Sequence, residues 1–327
     1  MTYSVGGLIQ AADYNTFQTN VNAFWSTGST DSGWGQTALS AVSANGVVAA
    51  TNWASLVNTL VTAGSQTTTT LTSRTAPVSG NVIAILANVA TDITSVTTRR
   101  GYATSSGTTS STFSGSISKT TPTGTPGSTG SWSTGFLSTI FFPSADQARY
   151  FWNAGGLIRL DMSKTSTGLD LDEDWNTFVS TVGTLYISGR VNNANQVIAG
   201  TTYTGFTRIG GSGTPSPFLT TTGYYNLTLG GSYTTVFTLT SSVAPYSGTS
   251  SISVDLQRVN SQSFNVFTTW AQGSLATTVT EISGGTATTS PFSGSFGTAP
   301  TVLCRVVPPS ATYLTDTWGT PTISGGV

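Results

Sequence analysis

The chain has 327 residues, with 11 basic and 12 acidic side chains, a formal net charge of −1 and no histidine. Charged residues make up 7% of it, against roughly a quarter in ordinary globular domains. Without imidazole there is no Ser-His-Asp or Cys-His engine and no His-ligated metal. With one cysteine, Cys304, there is neither a disulfide framework nor a thiolate zinc cluster.

A net charge near zero also argues against gripping nucleic acid through its phosphates, which takes a concentration of Lys and Arg. The sequence therefore predicts a chain that is not an enzyme and binds no cofactor. Its length allows one large body or two domains with a substantial core. An aromatic fraction of 10% and a mean hydropathy of +0.06 fit a folded chain better than a disordered one. The start, Met1-Thr2-Tyr3-Ser4-Val5-Gly6-Gly7-Leu8, lacks the basic and apolar regions of a secretory signal. No run of about 18 apolar residues is present, so no membrane insertion is expected. Ser and Thr, about a third of the chain, stand where surface charge would be. Thr suits the pleated surface of a strand. Hydroxyls also cost less to desolvate than Lys or Glu, provided they find hydrogen bonds. Such a surface suits close packing against neighbouring copies, with compositional drift as the alternative.

In chain order, the first seventy or so residues read as helical. Asp13 caps a helix that carries Tyr14, Phe17, Val21 and Phe24 on one face, and Gly28 stops it. A second helix begins at Thr51 and carries Trp53, Leu56, Val57, Leu60 and Val61 before Gly64. Between them lie Gly33-Trp34-Gly35-Gln36 and an Asn45-Gly46 pair, which is a hairpin signal. From about residue 76 the chain turns mostly β, with a buried-looking run at Val82-Ile83-Ala84-Ile85-Leu86. Residues 104–135 are Ser, Thr, Gly and Pro of low complexity. If ordered, their backbone groups need partners, and neighbouring chains are the expected ones.

Phe136 to Phe142 then reads as a strand ended by Pro143. Ser144, three residues before Gln147, marks a reciprocal capping box. The helix it opens carries Ala148, Phe151 and Trp152 and stops at Gly155-Gly156, the first glycine taking the left-handed position. Leu157 to Met162 follows as a strand, with Ile158, Leu160 and Met162 inward and Arg159 and Asp161 outward. A further helix with Leu171, Trp175, Phe178 and Val182 precedes a strand at Leu185-Tyr186-Ile187. Strands are then expected at Tyr224–Leu229, Tyr233–Leu239, Ile252–Leu256, Phe264–Trp270, Ala276–Ile282 and Val302–Val307. Turns at Gly230-Gly231 and Gly284-Gly285 separate several of them.

The fold class read from this is mainly β with a few short α-helices, an N-terminal helical hairpin before a β-sandwich or jelly-roll-like body. Three regions follow: 1–72, a helical attachment module; 73–190, a mixed β/α domain with the 104–135 insertion; and 191–327, a β-rich region. The last two are either separate or one body.

Candidate chemistry is sparse. Asp170, Asp172, Glu173 and Asp174 form the densest charge cluster, and Asp170, Asp172 and Asp174 are the candidate Ca²⁺ ligands. The EF-hand pattern fails, because its sixth position is Trp175 where glycine is required. Carboxylates at a helix N-terminus are the preferred reading. Asp161, Asp255 and Glu281 are the acids a glycosidase would draw on, but nothing in the sequence pairs any two of them. The G-x-S-x-G elbow and the P-loop are absent. Arg99-Arg100 is the one basic pair, read as a solvated turn or an intersubunit contact. Cys304 sits in an apolar run and reads as a buried, inert thiol. Tyr14, Phe17, Trp25, Trp34 and Trp53, with Arg99 and Arg100, are the interface or attachment candidates; Trp152 is a further core or interface anchor.

Two segments carry a resemblance. Ile9-Gln10-Ala11-Ala12-Asp13-Tyr14-Asn15, with Gly33-Trp34-Gly35-Gln36 and Thr51-Asn52-Trp53, resembles a module of tailed-bacteriophage virion proteins. Ala145-Asp146-Gln147-Ala148-Arg149-Tyr150-Phe151-Trp152-Asn153-Ala154-Gly155-Gly156-Leu157-Ile158 is similar to a segment of phage tail and appendage proteins. Together they cover about a quarter of the chain. The resemblance implies a virion structural protein of the tail or of a fibre-like appendage, assembled in the host cytoplasm as a homo-oligomer (a trimer is one such state). Its partners would be itself, other virion proteins and a host-surface glycan. A head decoration or cement protein, a receptor-binding adhesin and a polysaccharide-degrading spike are the alternatives. No catalytic residue carries over.

Overall fold

The computed structural model describes residues 11–28, 32–73, 75–79, 86–107, 109–116, 132–165, 176, 184–188, 195–198, 201–204, 224–232, 249–258, 263–272, 278–283, 286–291 and 301–326. Helix α1 (Ala11–Trp25) forms where apolar side chains recur at steps of three and four. Tyr14, Phe17, Val21 and Phe24 are each at most 1% exposed. Asp13 lies inside the first turn rather than ahead of it, where its carboxylate meets the positive end of the helix dipole. Helix α2 (Ala50–Gln66) buries Trp53, Leu56, Val57 and Leu60. Val61 departs from the predicted stripe and is 49% exposed. The helix also starts one residue earlier than expected and runs through Gly64. Asn52 reaches back to accept from the backbone N–H of Ala49 at 2.9 Å, closing its N-terminal end.

The helical part continues past residue 72. Helix α3 (Leu86–Arg99), followed by one 3₁₀ turn at Arg100–Tyr102, occupies a stretch where β structure was expected. Val89, Ile93 and Val96 give it a buried stripe, and each of the three helices touches the other two. The hydrophobic period here is helical, and the run 82–85 that suggested a strand lies outside the described residues.

The β structure is antiparallel throughout the described strands. Strand β1 (Ser111–Ser116), β2 (Trp132–Phe141), β3 (Leu157–Ser163) and β4 (Thr184–Ser188) are followed by β5 (Asn195–Ile198), β6 (Thr201–Thr204) and β7 (Tyr224–Ser232). Then come β8 (Thr249–Arg258), β9 (Ser263–Gln272), β10 (Thr278–Ser283), β11 (Thr286–Pro291), β12 (Thr301–Val307) and β13 (Thr322–Gly326). One sheet has the order β1-β12-β3-β4 and a second β13-β2-β9-β8-β7; β10-β11 and β5-β6 are two-stranded pairs. Helix α4 (Ala145–Asn153) sits between β2 and β3 in the chain.

Alternation decides which face of the first sheet is buried. Ile158 and Leu160 of β3 and Val302, Cys304 and Val306 of β12 are 0% exposed, while Arg159 and Asp161 stand on the opposite face, as their spacing predicts. Ser138 and Ile140 of β2 are also fully buried. Strand β1 touches both β13 and β2, so the two sheets meet there.

Within the low-complexity tract, residues 111–116 pair with β12 of the same chain, from Ser111↔Val306 to Ser116↔Thr301. On that edge their backbone partners are intramolecular; residues 117–131 of the tract lie outside the described residues. Gly230-Gly231, expected as a turn, is strand, paired with Ser251 and Ser250. The expected helix at 171–182, apart from Asn176, and the expected strand at 233–239 lie outside the described residues.

Candidate functional site

The connection between α1 and α2 is the least ordinary part of the molecule. Asn15, Gln18 and Asn22 recur on α1 at steps of three and four, beside the apolar stripe. Their amides hold an extended strap, residues 37–42, by its main chain. Asn22 donates to the Leu39 carbonyl at 2.9 Å and accepts from the Leu39 N–H at 2.9 Å. Asn15 does the same to Val42, at 2.7 and 2.8 Å. Gln18 adds a donor to Leu39 O at 2.7 Å, and Trp25 donates from its indole to Thr37 O at 3.0 Å. An amide side chain offers the same donor–acceptor pair as a peptide unit. Three of them on one helix face therefore replace the second strand of the hairpin that Asn45-Gly46 led us to expect. That pair closes only a local turn, with Gly46 N–H donating to Ser43 O at 2.8 Å.

Ahead of the strap, Gly33-Trp34-Gly35-Gln36 plugs into the β/α part. Trp34 is 1% exposed and meets Phe24 edge-on at 5.7 Å. Gln36 donates to Thr315 O at 2.9 Å and accepts from the Thr315 N–H at 2.9 Å, which fixes the loop leading to β13. The Thr317 hydroxyl donates to Trp34 O at 2.7 Å. From α4, Asn153 donates to Gly33 O at 3.1 Å. Gly35 has φ +72°, and a Cβ there would lie 2.5 Å from the Tyr150 ring, so the approach of strap and helix requires glycine.

A second set of contacts joins the ends of α2 and α4. Gln66, fully buried, donates to Thr104 O at 2.9 Å and Ala154 O at 2.7 Å. Ser144 caps α4 by accepting from the Gln147 N–H at 3.1 Å. The reciprocal half of the expected box is replaced: the Gln147 amide lies against Gly319. Gly155 takes φ +108° after the helix, as predicted. Behind it Phe142, Phe151 and Trp152 form an aromatic cluster with centroids 5.0 to 6.3 Å apart.

The structure separates the interface candidates. Tyr14, Phe17, Trp34 and Trp53 are at most 1% exposed and serve the chain's own core, with Tyr14 and Phe17 edge-on to Trp53 at 5.4 and 6.0 Å. Trp25 is half-buried beside Trp34. Arg99 stacks on the Tyr102 ring at 4.4 Å. Arg100 borders a groove of about 340 Å³ between α1 and α3, with Asn20, Phe24 and Thr97. On α3, Thr94, Ser95 and Thr97 donate their hydroxyls to the carbonyls of Ala90, Thr91 and Ile93. Those donors are spent within the helix, which leaves lone pairs and, on the threonines, methyl groups facing outward.

Asp161 is held between Arg159 at 2.7 Å and Arg305 at 3.2 Å on the outer face of the first sheet. Asp170, Asp172, Glu173 and Asp174 lie outside the described residues, as do the side-chain surroundings of Asp255 and Glu281. Among the described residues no group of three acids or cysteines is placed to hold a metal ion, and no helix is long and apolar enough to cross a membrane.

Cys304 is buried, which pushes its thiol up to about 12. Because the unfolded thiol ionises first, near its ordinary value of 9.0, this group's stabilising contribution is present below that value. It is lost as the pH rises toward 12. Denaturation midpoints of the parent should therefore fall more steeply over that window than those of Cys304→Ala, and a thiol reagent should label the parent only on unfolding. Labelling of the native protein at the rate of a free thiol would contradict the burial.

Comparison with protein families, curated proteins and solved structures finds no match to this chain. The residues that sequence reasoning missed are Asn15, Gln18 and Asn22. Their signal was present: three amides at helical spacing on one face, next to a long polar connection without a partner strand.

Proposed function

We propose that the protein is a non-enzymatic structural component of a tailed-bacteriophage virion, a homo-oligomer of the tail or of a fibre-like appendage. The observation that carries this reading is the convergence of the two segments that resemble phage virion proteins. Gly33-Trp34-Gly35-Gln36 and the α4 segment, separated by more than a hundred residues, touch through Asn153 and Gly33 and through Tyr150 and Gly35. The two segments pack as one unit. The weakly charged, hydroxyl-rich composition supports a role based on contact with other chains. In this reading the β strands stack as a sandwich-like body, and the helices form the side that attaches to the particle. Virion proteins and a host-surface glycan are the partners; the protein assembles in the host cytoplasm.

Immunogold labelling of particles with antibody to this chain tests the proposal. Label on the tail or an appendage supports it, label confined to the capsid favours a decoration protein, and unlabelled particles contradict it. Capsule loss around spots of purified protein would replace the structural reading by a polysaccharide-degrading one.

A further inference from the structure

We propose that copies of this chain join by exchanging their N-terminal arms: α1 and the strap of one copy, within residues 11–28 and 32–42, pack on α2, α3, α4 and the loop before β13 of a second copy. The inference rests on the reading of the chain as a homo-oligomer and says how its copies are held.

The arm is a unit in its own right, because Asn15, Gln18, Asn22 and Trp25 fasten the strap to α1 by bonds internal to residues 15–42. Its contacts with the rest of the chain are of a different set. Tyr14 and Phe17 meet Trp53, Gln36 meets Thr315, the Trp34 carbonyl meets Thr317, and Gly33 meets Asn153. Each of these can form equally well with the same surface of another copy, so exchange conserves them.

The tether is short and exposed. Beyond Val42 the chain is fixed again only at Ala49, where Asn52 holds the start of α2. Between them the main-chain bond within the tether is Gly46 N–H to Ser43 O, and Val47 is 88% exposed. Asn45 closes the turn at φ +63°. Six residues opened to an extended path span roughly 20 Å, enough to carry the arm to an adjacent copy. The composition favours this route over surface docking. With 23 charged side chains in 327 residues, 11 basic and 12 acidic, copies have few ion pairs to join them, whereas exchange places buried aromatics between chains.

Two single variants test it, Gln36→Cys on a copy with one tag and Thr317→Cys on a copy with another. The two residues lie 3.3 Å apart, Nε2 to Oγ1, and Cys304 is buried and silent. After co-expression, the oligomer is treated with a short bis-maleimide. Exchange predicts a covalent species carrying both tags. If no species carries both tags, and a chain bearing both substitutions links only to itself while the oligomer persists, exchange is overturned and the homo-oligomer reading stands. A chain that is monomeric at all concentrations overturns both. As a second route, removing Ala44, Asn45 and Gly46 shortens the tether so that the arm cannot turn back. The oligomeric share should rise several-fold, and a folded monomer would overturn the proposal.

Discussion

Replacing Trp53 by Ala is expected to lower the unfolding free energy by roughly 3–5 kcal/mol, the range for emptying a fully buried aromatic site. Trp53 is 0% exposed and is the ring against which both Tyr14 and Phe17 pack edge-on. Truncation removes its own burial and leaves two aromatic side chains of α1 facing a cavity, so the helices lose their common anchor. Chemical denaturation followed by tryptophan fluorescence measures the loss. Val47→Ala, at a residue that is 88% exposed, should stay within about 0.5 kcal/mol of the parent. Equal effects at the two positions would mean that the helices do not share the core described above.

The second large effect is expected at Gly155. Its φ is +108°, and a Cβ would lie 2.7 Å from the carbonyl oxygens of both Ala103 and Thr104. Backbone carbonyls held by the 3₁₀ turn and by Gln66 cannot swing away as a flexible side chain could. Gly155→Ala should therefore cost more than about 2 kcal/mol, strain and overlap together. Gly107 provides the comparison, because it has φ +75° with nothing within 4 Å of a built Cβ. Gly107→Ala should cost about 1 kcal/mol, the backbone contribution alone. Thermal unfolding of both variants separates the two contributions; equal losses would show that the contact between α4 and the turn after α3 is not tight.

What could be read from the residues followed from how local each signal was. The stripe of α1, that of α2 apart from Val61, the inward Ile158 and Leu160 of β3, the Ser144 cap and the left-handed Gly155 depend on neighbours within one or two turns, and the structure has them in place. Helix α3 was misread because its apolar run continues from Val82 without a break, and a short apolar run does not distinguish strand from helix. The strap was misread for another reason. Asn45-Gly46 signals a hairpin, but the partner of the extended chain is a row of amides on α1, more than fifteen residues upstream in the sequence. The docking of Gln36 on Thr315 spans 279 residues, and no local pattern encodes it. For the site, Tyr14, Phe17, Trp34 and Trp53 were identifiable as large anchors, yet their burial inside one chain depends on the three-helix arrangement.

The most direct measurement of the central claim is a map of the intact particle at a resolution that traces side chains. A structural role in the tail or an appendage predicts several symmetry-related copies there, each in contact with its neighbours. Particles that lack the chain, or a free monomer that turns over a substrate, would contradict it.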